Sequence, residues 1–369
     1  MWSNEPHDVR FPVGHPGTHD RDGHLAQCRG RRSASRADTT IGATGATGAT
    51  RASGAAHSTR TAVRVNLDPQ IARLIEALDA SFPAVHTMSG AQAREIIRSR
   101  FMPVVEPEPV AEVRDETIAG PAGGIPVRIY RPDGENLPIL VYGHGGGFVF
   151  CDLDSHDELC RNIANRVPAV VVSVAYRLAP EHRWPAAADD FHAATQWAAD
   201  NAARLGGDPN RIVVGGDSAG GNLAAVTALK NRDLGGPPLA AQLLLYPLLA
   251  ADFGGESYRL FGRGYYNPKT ALQWYWDQYA PSVTDRAHPY ASPLGADLRG
   301  LPPAVIVIAG HDPLRDEGLA YAAALEAAGV PVARAQFDGA VHGFMAMRIL
   351  GIAQQARQRA CDELSKFLE

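Results

Sequence analysis

The sequence predicts an α/β fold, in which a mostly parallel, eight-stranded sheet carries helices on both faces. Three observations predict it. Short apolar runs recur at Ile139–Tyr142, Val170–Val174, Ile212–Val214, Leu243–Tyr246 and Val305–Ala309. Helix-length stretches, such as Ala186–Leu205 and Leu319–Ala328, lie between them. Polar, Gly-rich segments follow directly on several of the runs, and in open α/β sheets ligands bind at the carboxyl ends of the strands. Apolar strands alternating with helices imply a parallel sheet covered on both sides, with right-handed crossovers.

Residues 1–62 stand apart. They hold Gly, Ala, Ser, Thr and Arg with almost no large aliphatic side chains, and Gly42-Ala43-Thr44 repeats through Thr50. Such a segment buries too little apolar area to offset the entropy of ordering it, so disorder is expected. Its arginines among Ser and Thr resemble a transit peptide in composition. The simpler reading is a dispensable or wrongly assigned N-terminal extension. Arg31-Arg32 is not followed by an apolar stretch, which argues against an export signal.

Residues 63–108 predict two amphipathic helices. Asp68-Pro69 offers an N-cap with proline at the first helical position, followed by the stripe Ile71, Leu74, Ile75 and Leu78. Ser89 with Gln92 forms a capping-box pattern ahead of Ile96, Ile97 and Phe101. From 109 to 369 the sheet pattern takes over. Val110–Ile118 and Pro126–Tyr130 read as an antiparallel pair turning at Gly123-Gly124, and Val332–Phe337 is the last strand.

The bulk numbers exclude several classes. Of 369 residues, 45% are hydrophobic and 20% charged, enough for a substantial core, and the net charge is -5. Nucleic-acid binding needs a clustered positive field, which the folding part of the sequence does not show. The four cysteines, Cys28, Cys151, Cys160 and Cys361, form no C-x-x-C pair, so neither zinc nor a disulfide framework is indicated. No apolar run approaches bilayer length, and a cytoplasmic setting is expected. A homodimer is compatible with the composition.

Ile212–Val214 runs into Gly215-Gly216-Asp217-Ser218-Ala219-Gly220-Gly221. Gly216-x-Ser218-x-Gly220 between an apolar strand and a helical run is the pattern of a nucleophile elbow. The serine sits on a sharp, strained turn, and the residues two before and two after it pass too close to neighbouring backbone for a side chain. The turn also places the hydroxyl at a helix N-terminus. A serine hydroxyl needs a base. Of the three histidines after Ser218, namely His288, His311 and His342, only His342 lies in a loop after the last strand. The acid should fall between them in the chain. Asp312 follows Val305–Ala309 directly, and Pro313 disfavours helical geometry at it. Asp316 is its nearest rival, and His311, adjoining the acid, reads as structural.

His144-Gly145-Gly146-Gly147-Phe148 follows Ile139–Tyr142. Its glycines can present amides to a tetrahedral oxyanion, as can the amide of Ala219. A phosphate cradle is the alternative, but neither G-x-x-x-x-G-K nor G-x-G-x-x-G is present.

Together with Tyr176-Arg-Leu-Ala-Pro-Glu181, Asp312-Pro-Leu314 and His342-Gly-Phe344, these motifs resemble, in order, those of the hormone-sensitive-lipase-like carboxylesterases, bacterial lipolytic family IV of the α/β-hydrolase superfamily. The resemblance covers about residues 65–369. It implies the α/β-hydrolase fold, a catalytic triad of Ser218, Asp312 and His342, oxyanion amides from Gly146, Gly147 and Ala219, a structural His144, and no cofactor. It also implies a helical cap made of the N-terminal helices and an insertion at about 252–290. Within that insertion Trp274, Tyr275, Trp276 and Tyr279 would either line an acyl pocket or pack the cap onto the body.

The expected function is hydrolysis of short- to medium-chain acyl esters, with a small-molecule ester as the partner. Two other readings compete. A silent ligand-binding module on the same scaffold should lack the base, whereas His342 is present. An amidase or long-chain lipase would share the triad, and a hydrolysis screen over acyl length separates these.

Overall fold

The computed structural model describes residues 66–369. By its internal contacts the chain divides into Met1–Arg51 and Ala52–Glu369, and all described residues belong to the second unit. The disorder expected for residues 1–62 concerns positions outside the described ones.

Both N-terminal helices start as their caps dictate. In α1 (Pro69–Ser81) the Asp68 carboxylate accepts the amides of Gln70 and Ile71 at 2.8 and 3.3 Å. In α2 (Gly90–Ser99) the Ser89–Gln92 capping box is complete. Of the four-residue stripe on α1, Ile71 and Ile75 are buried, whereas Leu74 is exposed and Leu78 half-buried. The contact face is therefore narrower than the periodicity suggests.

The sheet begins with β1 (Glu112–Gly120), β2 (Gly123–Arg131) and β3 (Leu137–Gly143). After α3 (Asp157–Arg166) come β4 (Val170–Val174), α4 (Ala186–Asp200), α5 (Ala202–Leu205) and β5 (Gly207–Asp217). Next are α6 (Ala219–Leu234) and β6 (Leu239–Leu245). The connection to β7 (Ala304–His311) holds α7 (Glu256–Phe261), α8 (Lys269–Tyr279) and α9 (Val283–Arg286). The chain ends with α10 (Arg315–Ala327), β8 (Val332–Val341) and α11 (Gly351–Leu368).

The eight strands lie in the order β1-β2-β4-β3-β5-β6-β7-β8. The pairs β1·β2 and β2·β4 are antiparallel, and all others are parallel. Two details differ from the sequence reading. Gly120 pairs with Gly123, so the hairpin turns at Pro121-Ala122 and the two glycines already belong to β2. The stretch expected as one helix over 186–205 breaks at Asn201, whose amide side chain donates to the Trp197 carbonyl at 2.9 Å.

Successive side chains of a strand point to opposite faces, and β3 shows the consequence. Ile139 and Val141 enter one core with Phe191 of α4 and Leu223 of α6. Leu140 and Tyr142 enter the other with Ile163 of α3 and Leu364 of α11. Both faces are thus covered, and the strand ends are left free to carry chemistry. Among the described residues no helix is long and apolar enough to cross a membrane.

Candidate active site

β5 ends at Asp217 and α6 begins at Ala219, so Ser218 alone makes the turn, at φ 54° and ψ -115°. A non-glycine residue in that region is strained and persists only where its surroundings over-determine it. Here the Ser218 amide donates to the Leu245 carbonyl at 2.9 Å, and its carbonyl accepts from Asn222 and Leu248 at 3.1 Å each. A Cβ on Gly216 or Gly220 would overlap the Gly143 carbonyl oxygen, which explains the glycines on both sides.

His342 follows directly on β8, and Asp312 directly on β7. The imidazole Nε2 lies 3.0 Å from Ser218 Oγ, and Nδ1 lies 2.7 Å from Asp312 Oδ2. An ionised carboxylate only accepts, so the ring proton sits on Nδ1 and Nε2 faces the serine hydroxyl as an acceptor. Asp312 is 1% exposed, and its other oxygen accepts the Leu314 amide at 2.9 Å. The Tyr246 ring packs edge-on against the imidazole, with centroids 5.1 Å apart. The rival Asp316 instead accepts the Ser257 amide at 2.8 Å and pairs with Arg315. His311 holds the Asp338 carbonyl at 2.7 Å and stacks on Tyr265.

The loop after β3 turns at Gly146 and Gly147, where φ is +105° and +59°. Their amides have no acceptor among the described residues. The Ala219 amide opens α6 and so has no intrahelical acceptor. The Gly145 amide, by contrast, donates to Asp217 Oδ1 at 2.9 Å. His144 stacks on Tyr176, whose hydroxyl donates to the His144 carbonyl at 2.8 Å. Burial and the neighbouring His156 push its imidazole down to about 4, so it is neutral near pH 7.

A cavity of about 1330 Å³ opens onto Ser218, His342, Gly146 and Gly147. Phe82, Phe101 and Met102 from the N-terminal segment also line it, with Tyr266 and Tyr275 from the β6–β7 connection. Of the four aromatic residues singled out on α8, Tyr275 reaches the cavity, seated against Gly147. Trp276 and Tyr279 are fully buried, and Tyr279 stacks on Phe148 at 3.7 Å. Packing onto the body therefore accounts for most of that cluster.

Three participants carry no local sequence signal. Asn222 on α6 donates to the carbonyls of Leu248 and Ala291, both at 2.8 Å, and so ties together two separated points of the β6–β7 connection. Glu317 accepts the Leu249 and Ala250 amides and the Tyr258 hydroxyl. His156 lies against Asp217 at 3.2 Å.

Residues 140–346 match the model of a family described as alpha/beta hydrolase fold. Carboxylesterase NlhH of Mycobacterium tuberculosis is 42% identical over 318 residues, 84% of this chain and 98% of that protein. Ethyl acetate hydrolase of Pseudomonas putida is 37% identical over 300 residues, 77% of this chain and 93% of its own. Among solved structures, a hyperthermophilic esterase from the archaeon Pyrobaculum calidifontis superposes with a TM-score of 0.76 at 39% identity, over 82% of this chain and 99% of that one. With the family match spanning more than half of its length and esterases aligned along most of the rest, the chain belongs to the alpha/beta hydrolase fold family and is an ester-hydrolysing enzyme.

Proposed function

We propose that this enzyme cleaves short- to medium-chain acyl esters through an acyl-enzyme on Ser218, with His342 as base, Asp312 as its partner and the amides of Gly146, Gly147 and Ala219 as the oxyanion hole. The observation that carries this reading is the unbroken relay from Asp312 through His342 to Ser218, beside two amides that lack an acceptor among the described residues.

His342 Nε2 takes the hydroxyl proton as Oγ attacks the acyl carbon. Asp312 stabilises the resulting imidazolium without taking its proton. Charge on the former carbonyl oxygen meets the amides, each worth about 3 kcal/mol in the transition state. The imidazolium then protonates the departing alkoxide, and the alcohol leaves. Water attacks the acyl-enzyme with His342 again as base, and the carboxylic acid departs as Ser218 regains its proton.

Acyl length rests on two supports. Arg114, Asp115 and Arg128 share the cavity with its aromatic residues, which limits the continuous apolar surface open to a chain. A relative carries the name ethyl acetate hydrolase. In this reading α1 and α2 join the helices of the β6–β7 connection in a cap. The contact between Phe82 and Tyr266, with ring centroids 5.5 Å apart, joins the two parts of that cap. Hydrolysis of p-nitrophenyl esters from acetate to palmitate tests the assignment. The expected kcat/KM peaks at short or medium chains, and a maximum at palmitate would make the enzyme a lipase instead.

A further inference from the structure

His156 precedes α3 and is 6% exposed. Its Nε2 faces the Asp217 carboxylate, 3.2 Å from Oδ1 and 3.4 Å from Oδ2. Its Nδ1 faces Ser155 Oγ at 2.9 Å. Ser155 Oγ is also 2.7 Å from the Asp152 carbonyl oxygen and accepts the Asp152 amide at 2.9 Å. Two oxygens that close need the hydroxyl proton between them, so Ser155 can only accept from the ring. A carboxylate likewise only accepts. These contacts fit a ring that donates from both nitrogens, an imidazolium.

Asp217 is the residue before Ser218. Besides His156 it holds the Gly145 amide and the Tyr142 hydroxyl, each at 2.9 Å. The Gly145 amide also lies 3.3 Å from His156 Nε2, a longer contact than the 2.9 Å it makes to Asp217 Oδ1. One carboxylate thus ties the turn before α3, the end of β3 and the nucleophile turn together. We propose that His156 is a positioning residue, whose imidazolium clamps the Asp217 carboxylate so that the Gly145–Gly147 loop keeps its place and its charge balance against Ser218. This rests on the catalytic roles proposed above.

The titratable surroundings agree. From the turn of His156 itself come Asp152 and Cys151, the latter a thiol that burial pushes up to about 12. From the end of β3 come Tyr142 and the neutral His144, and from the nucleophile turn Asp217. Burial works against the charge on both partners. For His156 the Asp217 carboxylate outweighs it, so its value rises above 6.5. For Asp217 the imidazolium and the Tyr142 hydroxyl outweigh it, so its value falls below 3.8. The pair therefore contributes fully between those two ordinary values. It is lost as pH falls through the lowered carboxyl value or rises through the raised imidazole value.

His156→Gln keeps a donor for Asp217 and removes the charge. A buried carboxylate without its counter-ion then sits beside Ser218. It opposes the oxyanion and favours protonated His342, whose own neighbours are Asp312 and Tyr246. The expected result is a kcat about tenfold lower, or ~1.4 kcal/mol in the barrier, with KM nearly unchanged and the acid limb of the kcat profile moved to higher pH. Adding Asp217→Asn removes the stranded charge and should return the limb, and most of kcat, toward wild type. Wild-type kcat and acid limb in His156→Gln, or no recovery in the double variant, would overturn the clamp. If His156→Gln does not fold, ring nitrogen NMR of the wild-type protein decides. His156 is expected to lose its second ring proton at a higher pH than the ~6.5 of an ordinary histidine, and a ring that turns neutral at or below that value refutes the proposal. Ser218→Ala, made in both backgrounds, separates the two layers. Hydrolysis surviving there overturns the site reading and the clamp with it, whereas an inactive Ser218→Ala beside a silent His156→Gln overturns the clamp alone.

Discussion

Gly220 and Gly143 meet backbone to backbone: a Cβ on Gly220 would overlap the Gly143 carbonyl oxygen, and one on Gly143 would lie 3.2 Å from the Gly220 Cα. The nucleophile turn can therefore approach the end of β3 only if Gly220 lacks a side chain, and a Cβ on Gly143 would be a tight fit there. Gly220→Ala has no flexible neighbour to displace. It should cost about 4 kcal/mol or more of stability, the range of severe backbone and packing clashes. Thermal unfolding of the purified variant checks this, with a loss of soluble protein as the extreme form of the same outcome.

Asp312 and Asp316 lie one helical turn apart and do different work. Asp312 holds the His342 ring, and Asp316 holds the Ser257 amide at the start of α7. Asp312→Asn should lower kcat on the order of 10⁴-fold by favouring the wrong imidazole tautomer. Asp316→Asn should stay within about threefold of wild type in kcat and lose a little stability instead, on the scale of one hydrogen bond. Steady-state kinetics of the two variants side by side would expose an exchanged assignment.

Glu317 predicts a stability that falls with pH. Burial pushes its carboxyl up to about 8, against hydrogen bonds from Tyr258, Leu249 and Ala250, and the charge on Asp312 adds to the rise. The unfolded carboxyl loses its proton near 4.5. Between these values the folded state holds more protons, so stability declines from pH 4.5 upward and levels off above 8. Glu317→Gln copies the protonated acid, with its oxygen toward the two amides and its nitrogen toward Tyr258. Its Tm should match wild type near pH 5 and exceed it near pH 8, at about 2–4 °C per kcal/mol. Parallel pH slopes for the two proteins would show that Glu317 is ionised throughout.

Strand ends were the most readable part of the molecule. An apolar run that stops at a glycine or a polar residue marks where a parallel strand delivers its next side chain. Ser218, Asp312 and His342 all lie within a residue of such an end. The turn of the first hairpin was less readable. A glycine pair and a Pro-Ala pair both suit turns, and strand pairing, a long-range property, chose Pro121-Ala122. The aromatic run on α8 was ambiguous because a helix distributes consecutive residues around its axis, which sends Tyr275 to the cavity and Trp276 into the core. His156, Asn222 and Glu317 act across 61, 69 and 68 residues of sequence respectively. Tertiary contacts at that separation leave no periodicity or spacing to read.

Covalent capture at Ser218 is the most direct measurement. Incubation with diethyl p-nitrophenyl phosphate should place one diethylphosphoryl group on the peptide containing Ser218 and abolish hydrolysis in step with labelling. Ser218→Ala should take up no label and fall on the order of 10⁴-fold or more in kcat. Label on another residue, or a Ser218→Ala enzyme within tenfold of wild type, would contradict the account.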